Sequence, residues 1–137
     1  MITYAGVQEG QALPSAQRTP TTQRVGRYLG ERTSESTPFM NADAAQRMGL
    51  PNLIVPGPMK LAYLEHYLRR WLDGGGALRR LRLSHRRPDF HGETMTFGGT
   101  VSRKYEDHGE KALDLEIWID NAEGERSVRA AATVVLR

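Results

Sequence analysis

The chain has 137 residues, of which 39% are hydrophobic and 26% charged, enough for one globular domain with a core spanning 1–137 and too little for a second. It contains no cysteine, which excludes a disulfide framework, cysteine-ligated zinc or iron–sulfur centres and a thiol nucleophile. The net charge of +3 is too small to argue for nucleic acid.

No run approaches the roughly 20 apolar residues of a membrane-spanning helix, and the opening MITYAGVQEG has neither a basic start nor an apolar stretch. These features predict a soluble, cytoplasmic, unprocessed chain with no membrane partner. The charge is unevenly placed. Residues 1–68 carry 6 basic and 5 acidic side chains, 69–87 carry 7 and 1, and 88–137 carry 6 and 10. The middle block holds Arg69, Arg70, Arg79, Arg80, Arg82, Arg86 and Arg87. It suits a phosphate-bearing ligand and equally suits a solvated strand edge that repels pairing.

In chain order, an N-terminal strand region precedes a short helix, capped by Thr19 with Pro20 in its first turn and running through Val25, Tyr28 and Leu29 to Gly30. A Ser- and Thr-rich loop covers Glu31 to Met40. Asn41 then caps a second short helix, Ala42 to Met48, stopped by Gly49. The extended segment Ile54-Val55-Pro56-Gly57 turns into a long helix with Pro58 in its first turn. Leu61, Leu64, Leu68, Trp71 and Leu72 recur at helical spacing, which assigns Lys60, Glu65, His66, Arg69 and Arg70 to a polar side.

Beyond Gly74-Gly75-Gly76 the pattern has period two. Leu81 and Leu83 form one set, and Met95, Phe97, Val101 and Tyr105 a second. Leu113 to Ile119 form a third set and Val128 to Leu136 a fourth, with turn residues between them. The prediction is an α+β fold, an antiparallel sheet wrapped around one long helix.

Two strings narrow this further. The run from Pro38 to Met59, PFMNADAAQRMGLPNLIVPGPM, resembles the MaoC-like dehydratase family, whose members read roughly N-P-I-H, an acidic helix, G-x-P, then I-x-x-G-M. RPDFHGETMT, from Arg87 to Thr96, resembles that family's P-x-F-x-G-D-T-L-T strand entry. The likeness runs from Val7 onward and implies a hotdog fold, an acyl-CoA or other acyl-thioester substrate, no cofactor and no metal. It also implies a dimer, formed with an identical chain or a related hotdog chain. In that family hydratases and dehydratases move water across the double bond beside a thioester. The chemistry needs a carboxylate and an imidazole sharing one water, and hydrogen-bond donors where the enolate oxygen gains charge.

The resemblance puts Gly57 in the donor role; Phe39, Met40 and Pro56 are candidate substrate contacts, Met40 and Phe39 as lining of an acyl tunnel for which core packing is the ordinary account. The resemblance matches Glu35 to the catalytic aspartate and Met40 to the catalytic histidine. Methionine transfers no proton. Three readings follow: a dyad-deficient subunit working with a related chain, an enzyme in which Glu35 acts with another group such as His91 or His66, or a non-catalytic acyl-thioester or apolar-ligand binding module. His91 lies in a turn, where exposure is the ordinary expectation. His85 either faces the core side with Leu81 and Leu83 or approaches a ligand. Alternation groups Arg80, Arg82 and Arg86 on the other side of their strand, a candidate contact for the nucleotide end of coenzyme A.

Overall fold

A computed structural model describes residues 1–30 and 37–137. Five strands and three helices follow one another as β1 (Ala12–Arg18), α1 (Thr22–Leu29), α2 (Ala42–Arg47), α3 (Gly57–Leu72), β2 (Gly76–His85), β3 (Met95–Asp107), β4 (Glu110–Asp120) and β5 (Arg126–Leu136). The strands form one antiparallel sheet in the order β1-β3-β4-β5-β2, leaving β1 and β2 as its two edges. The α+β expectation holds. No helix is long and apolar enough to cross a membrane among the described residues.

One sheet face packs on α3. Leu64, Leu68 and Leu72, one helical turn apart, are buried against Met95, Phe97, Leu115, Ile117, Val128 and Val134 from three strands. Tyr67 extends the same stripe: it stacks on Phe97 at 5.8 Å and donates to the Pro14 carbonyl at 2.6 Å. A smaller cluster of Val25, Val55 and Met59, joined by Tyr28, Leu29 and Met40, lies beneath α1.

Three local expectations change. The first helix is capped by Thr21, whose hydroxyl accepts from Arg24 N at 3.1 Å, and not by Thr19. Pro20 is held elsewhere because its carbonyl receives Gly92 N at 2.9 Å, and Thr19 meets Thr94 across the sheet edge. Tyr105 does not continue the buried set of Met95, Phe97 and Val101. A register shift between Val101 and Arg103 reverses the alternation, and the Tyr105 hydroxyl donates to Asp114 on the outer face. Lys60, assigned to the polar side of the helix, is only 2% exposed.

Leu68 has no exposed surface and lies at the middle of the α3 stripe. Leu68→Ala should therefore cost about 3 kcal/mol of folding stability, read from urea denaturation, with the secondary structure retained.

Candidate active site at the start of the central helix

The first turn of α3 keeps one free main-chain donor among the described residues. Pro56 occupies the N-cap and makes no side-chain cap, and Pro58 has no N–H. Met59 N and Lys60 N both turn back to the Pro56 carbonyl, at 3.1 and 3.2 Å. Among the described residues this leaves the Gly57 amide without a partner at the positive end of a 16-residue helix.

Gly57 opens on a cleft of about 350 Å³ shared with Phe39, Val55, Lys60, His85 and Arg86. The fit on one side is close. A Cβ built on Gly57 would stand 2.8 Å from His85 Nε2 and 3.1 Å from Cε1, so the exposed imidazole lies directly against the glycine and would have to shift for a larger residue. Pairing explains how His85 reaches this place. It sits opposite Val128 on the last rung of β2, in phase with Leu81 and Leu83, whose partners are Ala132 and Ala130. His85 is thus in phase with Leu81 and Leu83, yet it is exposed and lines the cleft.

A buried ion pair supports the cleft from behind. Lys60 Nζ lies 2.7 Å from Asp89 Oδ2, with side chains 3% and 2% exposed. That oxygen forms no hydrogen bond of good geometry, whereas Nζ also donates to the Arg87 carbonyl at 3.3 Å. The Asp89 main-chain oxygen receives Val55 N at 2.8 Å, so residue 89 is tied to both sides of the helix entry. Burial and the Lys60 ammonium hold the His85 pKa below its ordinary 6.5, while the Asp89 carboxylate pulls upward. The direction favours the uncharged imidazole, the form able to accept a proton.

The other candidates are distributed differently. Glu35 lies outside the described residues. His91 is 6% exposed, against the expectation for a turn, because the turn folds under the chain: His91 N donates to the Leu53 carbonyl, Asn52 donates to the His91 carbonyl, and Nδ1 meets Thr22 Oγ1 at 3.0 Å. Nε2 has no well-formed hydrogen bond, and the ring does not line the Gly57 cleft. Burial lowers its pKa against the opposing pull of the Ile54 and Phe39 main chains. Met40 packs in the smaller core cluster, and its terminal methyl would meet a Cβ on Gly26 at 3.4 Å. Pro56 is buried as the cap, and Phe39 lines the cleft.

Of the three arginines, only Arg86 is brought to this place. Arg86 N and Arg87 N both donate to the Ser127 carbonyl, which breaks the alternation at the end of β2. Arg80 and Arg82 stay on the outer face, around a surface depression that Asp114 and Glu116 also line. His66 is exposed on the far flank of α3. Sequence reasoning passed over Lys60 and Asp89. Asp89 follows a proline in a turn-rich string and carries no signal of burial.

A long helix wrapped by a five-stranded antiparallel sheet, with an unpaired glycine amide at its start, defines the class by architecture. An (R)-hydratase from A. caviae involved in PHA biosynthesis superposes with a TM-score of 0.84 at 20% identity, over 96% of this chain and 98% of that one. A MaoC-like dehydratase from Rhodospirillum rubrum gives 0.78 at 20% identity, over 99% and 97%. The HadBC complex from Mycobacterium tuberculosis, a 3R-hydroxyacyl-ACP dehydratase, gives 0.71 at 17% identity, over 93% and 96%. The chain therefore has the hotdog fold of MaoC-like hydratases and dehydratases. No family model and no curated protein matches its sequence.

Asp89→Ala should destabilise the fold by about 3–5 kcal/mol, because it strands the Lys60 charge. The joint variant Lys60→Met with Asp89→Leu should recover much of that loss in denaturant unfolding. A pH dependence follows from the two histidines. Their folded pKa values lie below 6.5, so as pH falls the unfolded chain takes up protons first. Stability should be full above 6.5 and decline as pH drops through that value, and His91→Gln should flatten the decline measured by urea titration at stepped pH.

Proposed function

We propose that the chain binds an acyl thioester with its carbonyl oxygen on the Gly57 amide, as a hydratase- or dehydratase-type subunit. The observation that carries this reading is the unpaired amide at the start of α3, open to a cleft. A preorganised N–H at a helix start stabilises negative charge on the thioester oxygen as the enolate forms, and stabilises it more than the neutral carbonyl. Phe39 and Val55 supply apolar contact for the first carbons of the acyl group, and Arg86 stands at the same cleft for an anionic part of the carrier.

Binding is not the whole reaction. Moving water also needs an acid and a base, and the residue matched to the family's histidine is Met40, packed in a core cluster. The missing proton chemistry is therefore supplied by a related hotdog chain. Support comes from the HadBC dehydratase, a complex whose fold is shared by this chain, and from the free edge of β2, the strand that ends at His85. A neighbour on that edge would stand next to the cleft. An acyl-thioester binding module without any reaction is the same proposal with the partner removed.

One observation favours a second reading, in which the chain performs its own proton transfer. His85 is the imidazole in contact with Gly57 and lines the cleft, so it stands where a base for the α-proton or the attacking water is wanted.

Calorimetric titration with crotonyl-CoA and a stopped assay of its hydration separate these readings. The chain alone should bind the thioester, and Gly57→Ala should weaken binding by about tenfold or more, since the added methyl collides with His85. His85→Ala that abolishes hydration by the isolated chain while leaving affinity within about threefold assigns the proton transfer to this histidine. Activity that appears only with a co-purified hotdog chain, and survives His85→Ala, assigns it to the partner. Absence of thioester binding by the isolated chain and by that complex would overturn the proposal.

A further inference from the structure

The far flank of α3 holds a second and larger cavity of about 680 Å³, at the β1 edge of the sheet, that shares no lining residue with the Gly57 cleft. Its floor is aromatic. Phe97 and Tyr67 stack at 5.8 Å with 26° between their planes, Tyr63 meets Phe97 edge-on at 6.3 Å, and Trp71 lies one turn beyond Tyr67. Its rim is cationic, with Arg18 from β1, Arg24 from α1 and Arg70 from α3.

Among the described residues the charge of this lining has one sign. No aspartate or glutamate lines the cavity, and none of the three arginines takes part in an ion pair among the described residues. Arg79, Arg87 and Arg126, by contrast, each face a carboxylate, of Glu110, Glu125 and Asp120. Three uncompensated guanidinium groups around one cavity call for more negative charge than a single carboxylate brings, and their planar forks match phosphate oxygens. Arg18 already lies over the Tyr63 ring at 4.9 Å, and Tyr63 and Trp71 remain partly exposed for a flat ring to stack on. The volume is that of a small-molecule site.

A peptide laid along β1 is less well suited. Pro14 has no N–H, the register shifts between Leu13 and Ala16, and the Pro14 carbonyl is taken by Tyr67, so the edge offers a broken ladder.

We propose that this groove binds a phosphorylated aromatic molecule of the nucleoside-diphosphate class, its phosphates on Arg18, Arg24 and Arg70 and its ring against Tyr63 and Trp71. The site stands independently of the thioester reading, because the two cavities lie at opposite edges of the sheet.

Trp71 provides the signal. In Trp118→Phe, which removes the only other tryptophan from the outer face, titration with adenosine diphosphate should change the fluorescence saturably. The joint variant Arg18→Ala, Arg24→Ala and Arg70→Ala should weaken binding by about tenfold or more, rising salt should weaken it further, and adenosine or pyrophosphate alone should each bind less well than the diphosphate. Should the triple variant not fold, Arg24→Ala on exposed helix α1 carries the same test with a smaller loss. The assignment is overturned by any of four results: no saturable change, an affinity indifferent to the arginines, pyrophosphate binding as tightly as the nucleotide, or an oligoglutamate peptide displacing the nucleotide at lower concentration.

Discussion

The buried contact between Lys60 and Asp89 sets the geometry on which the site depends. A lysine and an aspartate, each almost wholly out of water, are stable there only in each other's company. Lys60 belongs to the first turn of the central helix and Asp89 to the loop before β3, so their pairing fixes the helix entry against that loop. The hydrogen bond from Val55 to the Asp89 carbonyl secures the chain just before the helix in the same way. Between these two ties sits Gly57. Its amide direction is inherited from them, and so is its contact with His85, because the end of β2 and residues 86 and 87 run along the same loop.

The outer and inner faces of the sheet divide the work. Inward residues of β3, β4 and β5 are apolar and close on α3, whereas the outer face carries paired charges and one tryptophan. Trp118 lies flat over Gly98, where a Cβ would come within 2.6 Å of its ring nitrogen, and Arg126 covers it at 4.3 Å. Arg80 and Arg82 belong to this outer layer. Within the densest run of positive charge in the sequence, Arg79 and Arg87 pair with Glu110 and Glu125 of the acidic C-terminal part, as on a solvated strand face.

What the sequence discloses is the part governed by local periodicity. The leucines of α3, the alternation in the last four strands, the Asn41 cap and the turn into Pro58 all follow from rules that reach a few residues along the chain. Lys60 shows where such rules end. Its place on the helical wheel is correctly polar, yet the loop carrying Asp89, 29 positions later, covers that side of the first turn. Tyr105 was assigned by parity, and one bulge reversed the parity. The cationic groove was wholly hidden, because Arg18, Arg24 and Arg70 come from three separate elements and gather only when β1 and α1 fold against α3. His85 was legible as a pair of alternatives, and it stands in phase with Leu81 and Leu83 yet exposed at the cleft.

The helix start and position 40 differ in what packing asks of them. A helix start with an unpaired amide costs nothing in core packing, and here it is left open by Pro56 and Pro58, which can neither cap it with a side chain nor replace its N–H. A histidine at position 40, by contrast, would place a polar ring among Val25, Val55 and Met59, whose interior favours an adaptable apolar side chain. Methionine there packs against that cluster and carries no proton to transfer. The open amide thus sits where packing leaves it free among the described residues, and position 40 sits where packing favours an apolar side chain. An imidazole does meet the cleft, but from the opposite strand. It is carried by the free edge, so any chain that pairs with β2 would also determine what His85 can reach.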